Sequence, residues 1–181
     1  MKMPRPWLTF LVSLLLGAGI VLTWAVMTWP PRPGVHQLVE GIWISEQIQP
    51  QDLAALKQKG FHSIIDLRPD GEQRGQPSSD EINAAAALNG LTFAYVPVPL
   101  GEIPDSQVDS LALSLAVAEK PIVLFCGSGR RAARTWALSE ASRAGGLDAN
   151  AIRQALDSAG QSSADLDPAI AARIAARGSK Q

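Results

Sequence analysis

The chain is expected to fold as an α/β domain, a central and mostly parallel sheet flanked by helices, preceded by one N-terminal transmembrane helix. Three observations carry this expectation. Short apolar, β-branched runs alternate with helical stretches of about ten to fifteen residues, a pattern that needs crossover connections and a parallel sheet covered on both faces. The stretch from Trp7 to Trp29, "WLTFLVSLLLGAGIVLTWAVMTW", carries no charge. As a helix it would extend about 34 Å, against a bilayer core of about 30 Å. Finally, the only cysteine, Cys126, ends an apolar run, and sheets of this type bind ligands beyond the carboxyl ends of their strands.

The elements follow in order. Residues 1–6 form a short tail and 7–29 the expected anchor, with Trp7 and Trp29 at its ends, where amphipathic rings favour the interface. No small-x-small cleavage site follows the apolar run, which argues against a cleaved signal peptide. Lys2 and Arg5 precede the span and only Arg32 follows closely, so the positive-inside bias keeps the tail in the cytoplasm. The reading is a single-pass membrane protein whose body lies in the periplasm or otherwise outside the cytoplasm. "PPRPG" (30–34) is a stiff spacer.

A domain is expected over 35–160, followed by a C-terminal helix and tail over 161–181. Apolar runs on either side of Glu40-Gly41 read as a hairpin. Pro50 opens a helix in which Leu53 and Leu56 share a face, and Gly60 stops it. "FHSIIDL" (61–67) is a buried strand, and "RPDGEQRGQP" (68–77) a loop. Ser78 with Glu81 forms a capping box ahead of the next helix. "LTFAYVPV" (91–98) is a strand and "PLGEIP" (99–104) a loop. Asp105 is a candidate cap for the helix that follows it. "PIVLFC" (121–126) is a strand, and a helix runs from the following loop to Gly145-Gly146. Two short helices finish the chain, the second with Leu166, Ile170 and Ile174 along one side for docking.

Composition narrows the partners. Lys plus Arg number 16 and Asp plus Glu 17, so no basic excess is available to neutralise nucleic-acid phosphates. One cysteine excludes an internal disulfide. His36 and His62 stand far apart in the chain, with no second ligand near either, so neither a metal site nor a cofactor is expected.

The loop "CGSGRR" (126–131) concentrates the chemistry. A turn between a strand and a helix aims backbone N–H groups inward, and the helix N-terminus adds partial positive charge. Gly127 and Gly129 let the backbone curl. Ser128 can donate a hydrogen bond, and Arg130 and Arg131 add cations, with Arg131 offering a fork suited to oxyanions. Such a cradle favours thiolate over thiol at Cys126. The plainer reading of the same residues is a core cysteine followed by ordinary turn glycines.

Cys-x-x-Gly-x-Arg opening a helix resembles the active loops of cysteine-dependent phosphatases and of rhodanese-type sulfurtransferases. Phosphatases typically place five residues between Cys and Arg and sulfurtransferases four; here four separate Cys126 from Arg131. The longer run from "GIWISEQ" through "SIIDLRPDGEQRGQP" to "VLFCGSGRRAARTWAL" closely resembles the beta-lactamase hydrolase-like, phosphatase-like family of bacterial domains. This resemblance implies a protein-tyrosine-phosphatase-like fold with a dual-specificity-phosphatase character and a rhodanese-length loop. Phe125 stands where phosphatases usually carry His, and Gly127 where the family often has Arg. By the same resemblance a general acid would come from the loop after "AYVPV", which offers Glu102 and Asp105.

Three functions remain open. In the first, a membrane-anchored hydrolase attacks phosphate esters through Cys126, with Arg131 and the N–H groups of 127–131 holding the oxygens. In the second, a sulfurtransferase carries a Cys126 persulfide. In the third, the same cradle serves a catalytically weak module that binds anions or a partner. The expected ligand is accordingly a phosphorylated or a sulfur-donor compound.

Overall fold

The hairpin turns on Glu40 and Gly41. It pairs β1 (Val35–Val39) antiparallel with β2 (Ile42–Ser45), and Gly41 takes φ 77°, a left-handed conformation that suits glycine. The computed structural model describes residues 34–162 and 164–178. A single 3-10 turn at Pro50–Asp52 leads into α1 (Leu53–Gln58). There follow β3 (Ser63–Asp66), α2 (Ser79–Leu88), β4 (Thr92–Tyr95), α3 (Asp105–Val117), β5 (Ile122–Phe125), α4 (Arg130–Ser142), α5 (Ala149–Ser158) and α6 (Asp167–Gly178). The expected capping box opens α2. Glu81 N donates to Ser78 Oγ at 3.2 Å, and Ser78 N donates to Glu81 Oε2 at 2.7 Å.

The strands form one mixed sheet in the order β1-β2-β5-β3-β4, parallel except for the β1–β2 hairpin at one edge. Its side chains alternate between two apolar layers. Ile65, Leu67, Leu124 and Cys126 share one cluster with Val108 and Leu111 of α3 and Ala133 and Trp136 of α4. Ile64, Val123 and Phe125 face the other way, into a cluster with Leu53 and Leu56 of α1 and Ile82 and Ala86 of α2. Every one of these residues is buried.

Two strands are shorter than the apolar runs suggested. Beyond β3 and β4 the chain keeps its pairing through single bonds, from Leu67 N to Phe125 O (2.9 Å) and from Val98 N to Leu67 O (3.1 Å). The cap of α3 is Pro104, not Asp105, whose carboxylate instead meets the Arg173 guanidinium of α6. Ile170 is buried against the α3–α4 side, and Leu166 and Ile174 join the same cluster. Arg177 fastens the end of α6 by donating to the carbonyls of Glu140 (3.1 Å), Arg143 (3.2 Å), Gly146 (2.9 Å) and Leu147 (2.8 Å).

The membrane expectations are corrected here. The anchor read over 7–29 lies outside the described residues. Among the described residues no helix is long and apolar enough to cross a membrane. A span needs about 20 consecutive apolar residues. The longest described helices, α3 and α4, have 13 each, and both carry charged or polar side chains along their length. The described residues supply no transmembrane helix for the expected fold class, and the membrane as a partner and the single-pass, extracytoplasmic placement are not carried further.

Candidate anion-binding cleft

The site is built where three parallel strands end side by side. β5 delivers Cys126, β3 delivers Leu67 and Arg68, and β4 runs on to Val98 and the loop after it. The loop from Cys126 then turns into α4 through Gly129, which has φ 78° and caps the helix. A Cβ at Gly129 would stand 3.3 Å from the Ser45 carbonyl oxygen, so both the conformation and the close approach ask for glycine. Gly127 and Ser128 are exposed at the loop tip, and the Gly127 carbonyl accepts from Gln47 N at 3.4 Å. Among the described residues, none of the N–H groups of 127–131 donates to a turn or loop carbonyl. They are the orphan donors that a helix N-terminus presents to an anion.

A cleft of about 490 Å³ opens over this loop. It is lined by Cys126, Gly127, Ser128, Arg130, Arg131 and Arg134 on one side, and by Glu72 and residues of the 99–103 loop on the other. The two guanidiniums deepest in the site belong to Arg68 and Arg131, whose side chains are 7% and 11% exposed. Arg68 lies against Gly127, with its Cζ 3.6 Å from where a Cβ would be. It donates to Glu72 Oε1 (2.9 Å), Gln47 Oε1 (2.6 Å) and Gln73 Oε1 (2.9 Å). Arg131 donates to Glu72 Oε2 (2.7 Å), Val98 O (2.9 Å) and Leu67 O (3.4 Å). One carboxylate thus spans both cations. Burial pushes the Glu72 carboxyl up, but the hydrogen bonds from Arg131 and then Arg68 outweigh it and hold the group below its ordinary value.

Asp66 precedes this cluster at the end of β3, with Oδ1 accepting from Arg68 N at 2.8 Å. Burial raises its pKa from 3.8 to about 7, against the hydrogen bond from Arg68 and with help from the charge of Asp70. Asp70 accepts from Ser79 N and Ser79 Oγ, both at 2.7 Å, and Asp70 N donates to Tyr95 Oη at 2.9 Å. These bonds pin the start of the 69–77 loop to α2 and β4, and so hold Glu72 over the cleft.

The residues singled out from the sequence divide in two. Cys126, Gly127, Ser128, Arg130 and Arg131 come together around the cleft, while Gly129 supports it from behind, beside Ser45. Glu102 is exposed and does not line the cleft, although its neighbours Gly101 and Ile103 do. Asp105 lines a different depression, with Asp109 and Arg173. Sequence reasoning passed over Glu72, Gln47 and Gln73. The only sign of Glu72 was its place four residues after Arg68, in a loop rich in Gly and Pro. No group of three or more His, Cys, Asp or Glu among the described residues could hold a metal ion.

Residues 35–144 match the model of the family described as "Beta-lactamase hydrolase-like protein, phosphatase-like domain". The chain belongs to this family. Over 101 residues it is 37% identical to a beta-lactamase hydrolase-like protein of Xylella fastidiosa (strain Temecula1), a match that covers 56% of this chain and 23% of that one. The chain thus spans about a quarter of the length of the curated relatives it matches. Among solved structures it is similar to a candidate phosphatase of Neisseria meningitidis Z2491. The TM-score is 0.67 and the identity 27%, covering 76% of this chain and 96% of the other. It also shares its fold with the core catalytic domain of a PP-IP phosphatase from S. cerevisiae, at TM-score 0.56 and 18% identity, covering 80% and 92%. The family's fold here is the α/β fold of protein-tyrosine and dual-specificity phosphatases, with a mixed sheet and flanking helices.

The expectation of a membrane-anchored hydrolase with a Cys126 thiolate as its nucleophile is overturned by this geometry. Cys126 is 2% exposed and belongs to the same apolar cluster as Leu124, Leu67 and Ala133. A nucleophile must be reachable by the group it attacks, and although Cys126 contributes to the floor of the cleft, only 2% of it is exposed. The guanidinium meant to hold the transferred oxygens is already paired with Glu72. Membership in the phosphatase-like superfamily fold stands without that chemistry.

Proposed function

We propose that the chain is an anion-binding member of this phosphatase-like family with little catalytic power. The seat is the loop Gly127, Ser128, Gly129, Arg130 and Arg131, whose N–H groups and guanidiniums receive an oxyanion, while Cys126 forms the floor as a packing residue. Glu102 and Asp105 have no part in the seat.

The observation that carries this reading is the position of Glu72. Its carboxylate lies 2.9 Å from Arg68 Nε and 2.7 Å from Arg131 Nη2. Two guanidiniums this poorly exposed need an anionic partner, and the fold supplies a carboxylate where an external oxyanion would be held. An incoming anion exchanges with Glu72 for the same donors. Binding is therefore reversible and modest, and the buried sulfur leaves the ligand intact.

Calorimetric titration of the full-length chain with phosphate, sulfate and thiosulfate tests the proposal. Binding is expected for the parent and loss of binding for Arg131→Met. No heat with any of the three anions rejects the seat. A paired assay with p-nitrophenyl phosphate, run beside Cys126→Ala, checks for turnover. Phosphate release that disappears in the variant rejects the reading of weak catalysis.

A second reading rests on one specific feature, the four residues between Cys126 and Arg131. It is sulfur transfer. The outer sulfur of thiosulfate passes to Cys126 Sγ as sulfite leaves, and cyanide then removes that sulfur as thiocyanate and restores the thiolate. This requires an opening of the loop that exposes the sulfur. Thiocyanate formation lost in Cys126→Ser would favour it over the binding module.

A further inference from the structure

The cleft is chemically divided, and the division says which anion it suits. One side is the loop of free amides with Arg130 and Arg131; the other is Pro99, Leu100 and Ile103. Ile103 is partly buried and packs onto the core cluster behind it, which makes the wall firm. Leu100 is 73% exposed. Of the large apolar side chains exposed among the described residues, it is the one that lines this cleft. Arg130 also lines the cleft and forms none of the ion pairs among the described residues, although its charge is felt by Asp165.

A bare tetrahedral oxyanion would use only the amide and guanidinium side. The volume of about 490 Å³ falls in the range of about 300–1,000 Å³ common for small organic ligands. With phosphate alone bound, the Leu100 wall would stay wet. We propose that the ligand of this seat is an organic oxyanion carrying an apolar substituent, its head on the 127–131 loop and its substituent on Leu100 and Ile103. This inference rests on the anion-seat reading and deepens it. Leu100 is then a specificity-determining residue, because each methylene it covers raises affinity roughly threefold to fourfold.

Phosphonates provide the test, since their P–C bond resists hydrolysis. The full-length chain is titrated by calorimetry with inorganic phosphate and with methyl-, butyl- and phenylphosphonate. Butyl- and phenylphosphonate are expected to bind at least about tenfold more tightly than methylphosphonate. In Leu100→Ser the spread across the series should shrink to within about threefold. Leu100 is exposed, and an unchanged melting temperature verifies that the variant folds. Equal affinities across the series in the parent overturn the inference while leaving the anion seat in place, as does a spread that survives in Leu100→Ser. If neither phosphate nor any phosphonate binds, the seat itself is rejected and this inference with it.

Discussion

Glu72 lies between Arg68 and Arg131 and joins them, 2.9 Å from one guanidinium and 2.7 Å from the other. The two arginines come from different parts of the chain, one from the end of β3 and the other from the first turn of α4. Without the carboxylate, two poorly exposed positive charges would lose the anion they share. Glu72→Gln should cost about 1–3 kcal/mol of stability. Added phosphate should restore more of the melting temperature in the variant than it adds in the parent, because the external anion then has no internal competitor. Thermal melts with and without phosphate decide it; an equal shift in both proteins would mean that Glu72 does not compete for the seat.

Asp66 should leave its mark on the pH dependence of stability. Its pKa in the folded chain is raised from 3.8 to about 7, so the native state holds the proton more tightly than the unfolded chain does. Stability from this group therefore falls as pH rises from about 4 to about 7, and stays level above that. Asp66→Asn keeps an acceptor for Arg68 N and removes the titration. Urea midpoints between pH 4.5 and 8 should decline less in the variant, which should be the more stable of the two above pH 7. Parallel curves would show that Asp66 ionises normally.

Cys126 behaves as a core residue in this geometry. Replacing its sulfur by a hydroxyl in Cys126→Ser should cost about 1–2 kcal/mol, since the new polar group lacks a ready partner. An aromatic disulfide reagent should label the native thiol slowly and the denatured thiol at once. Native labelling as fast as the denatured rate would show that the sulfur is open to solvent.

Gly129 combines φ 78° with a backbone oxygen 3.3 Å from any added Cβ. Gly129→Ala should cost about 1–3 kcal/mol and weaken phosphate binding by about tenfold, because the 127–131 amides lose their alignment. A variant that melts and binds like the parent would show that the turn tolerates a side chain.

Much of the fold was legible because its signals are local. Gly41 marked the hairpin, Ser78 with Glu81 marked the start of α2, and the run before Cys126 marked β5. Trp136 of α4 is 1% exposed and belongs to the cluster between that helix and the sheet. The loop of the site was legible for the same reason, since its glycines and arginines are contiguous. Glu72 was not. A charged residue in a loop has the pattern of a solvated one, and its partner Arg131 lies far along the chain. Asp105 misled in the same way. A carboxylate ahead of a helix looks like a cap, whereas the folded chain places Arg173 beside it. The state of Cys126 was also hidden, because strand-end position says nothing about which neighbours close over a side chain.

The alternation of β3 and β5 has a consequence for how charge could move. Asp66 is paired in register with Phe125, the immediate predecessor of Cys126, and so the carboxyl and the sulfur leave the sheet in opposite directions. The group that titrates near neutrality and the only thiol are screened from each other by a wall one peptide layer thick. A proton passing directly from one to the other would have to cross the sheet, from the layer of α1 and α2 to the layer of α3 and α4.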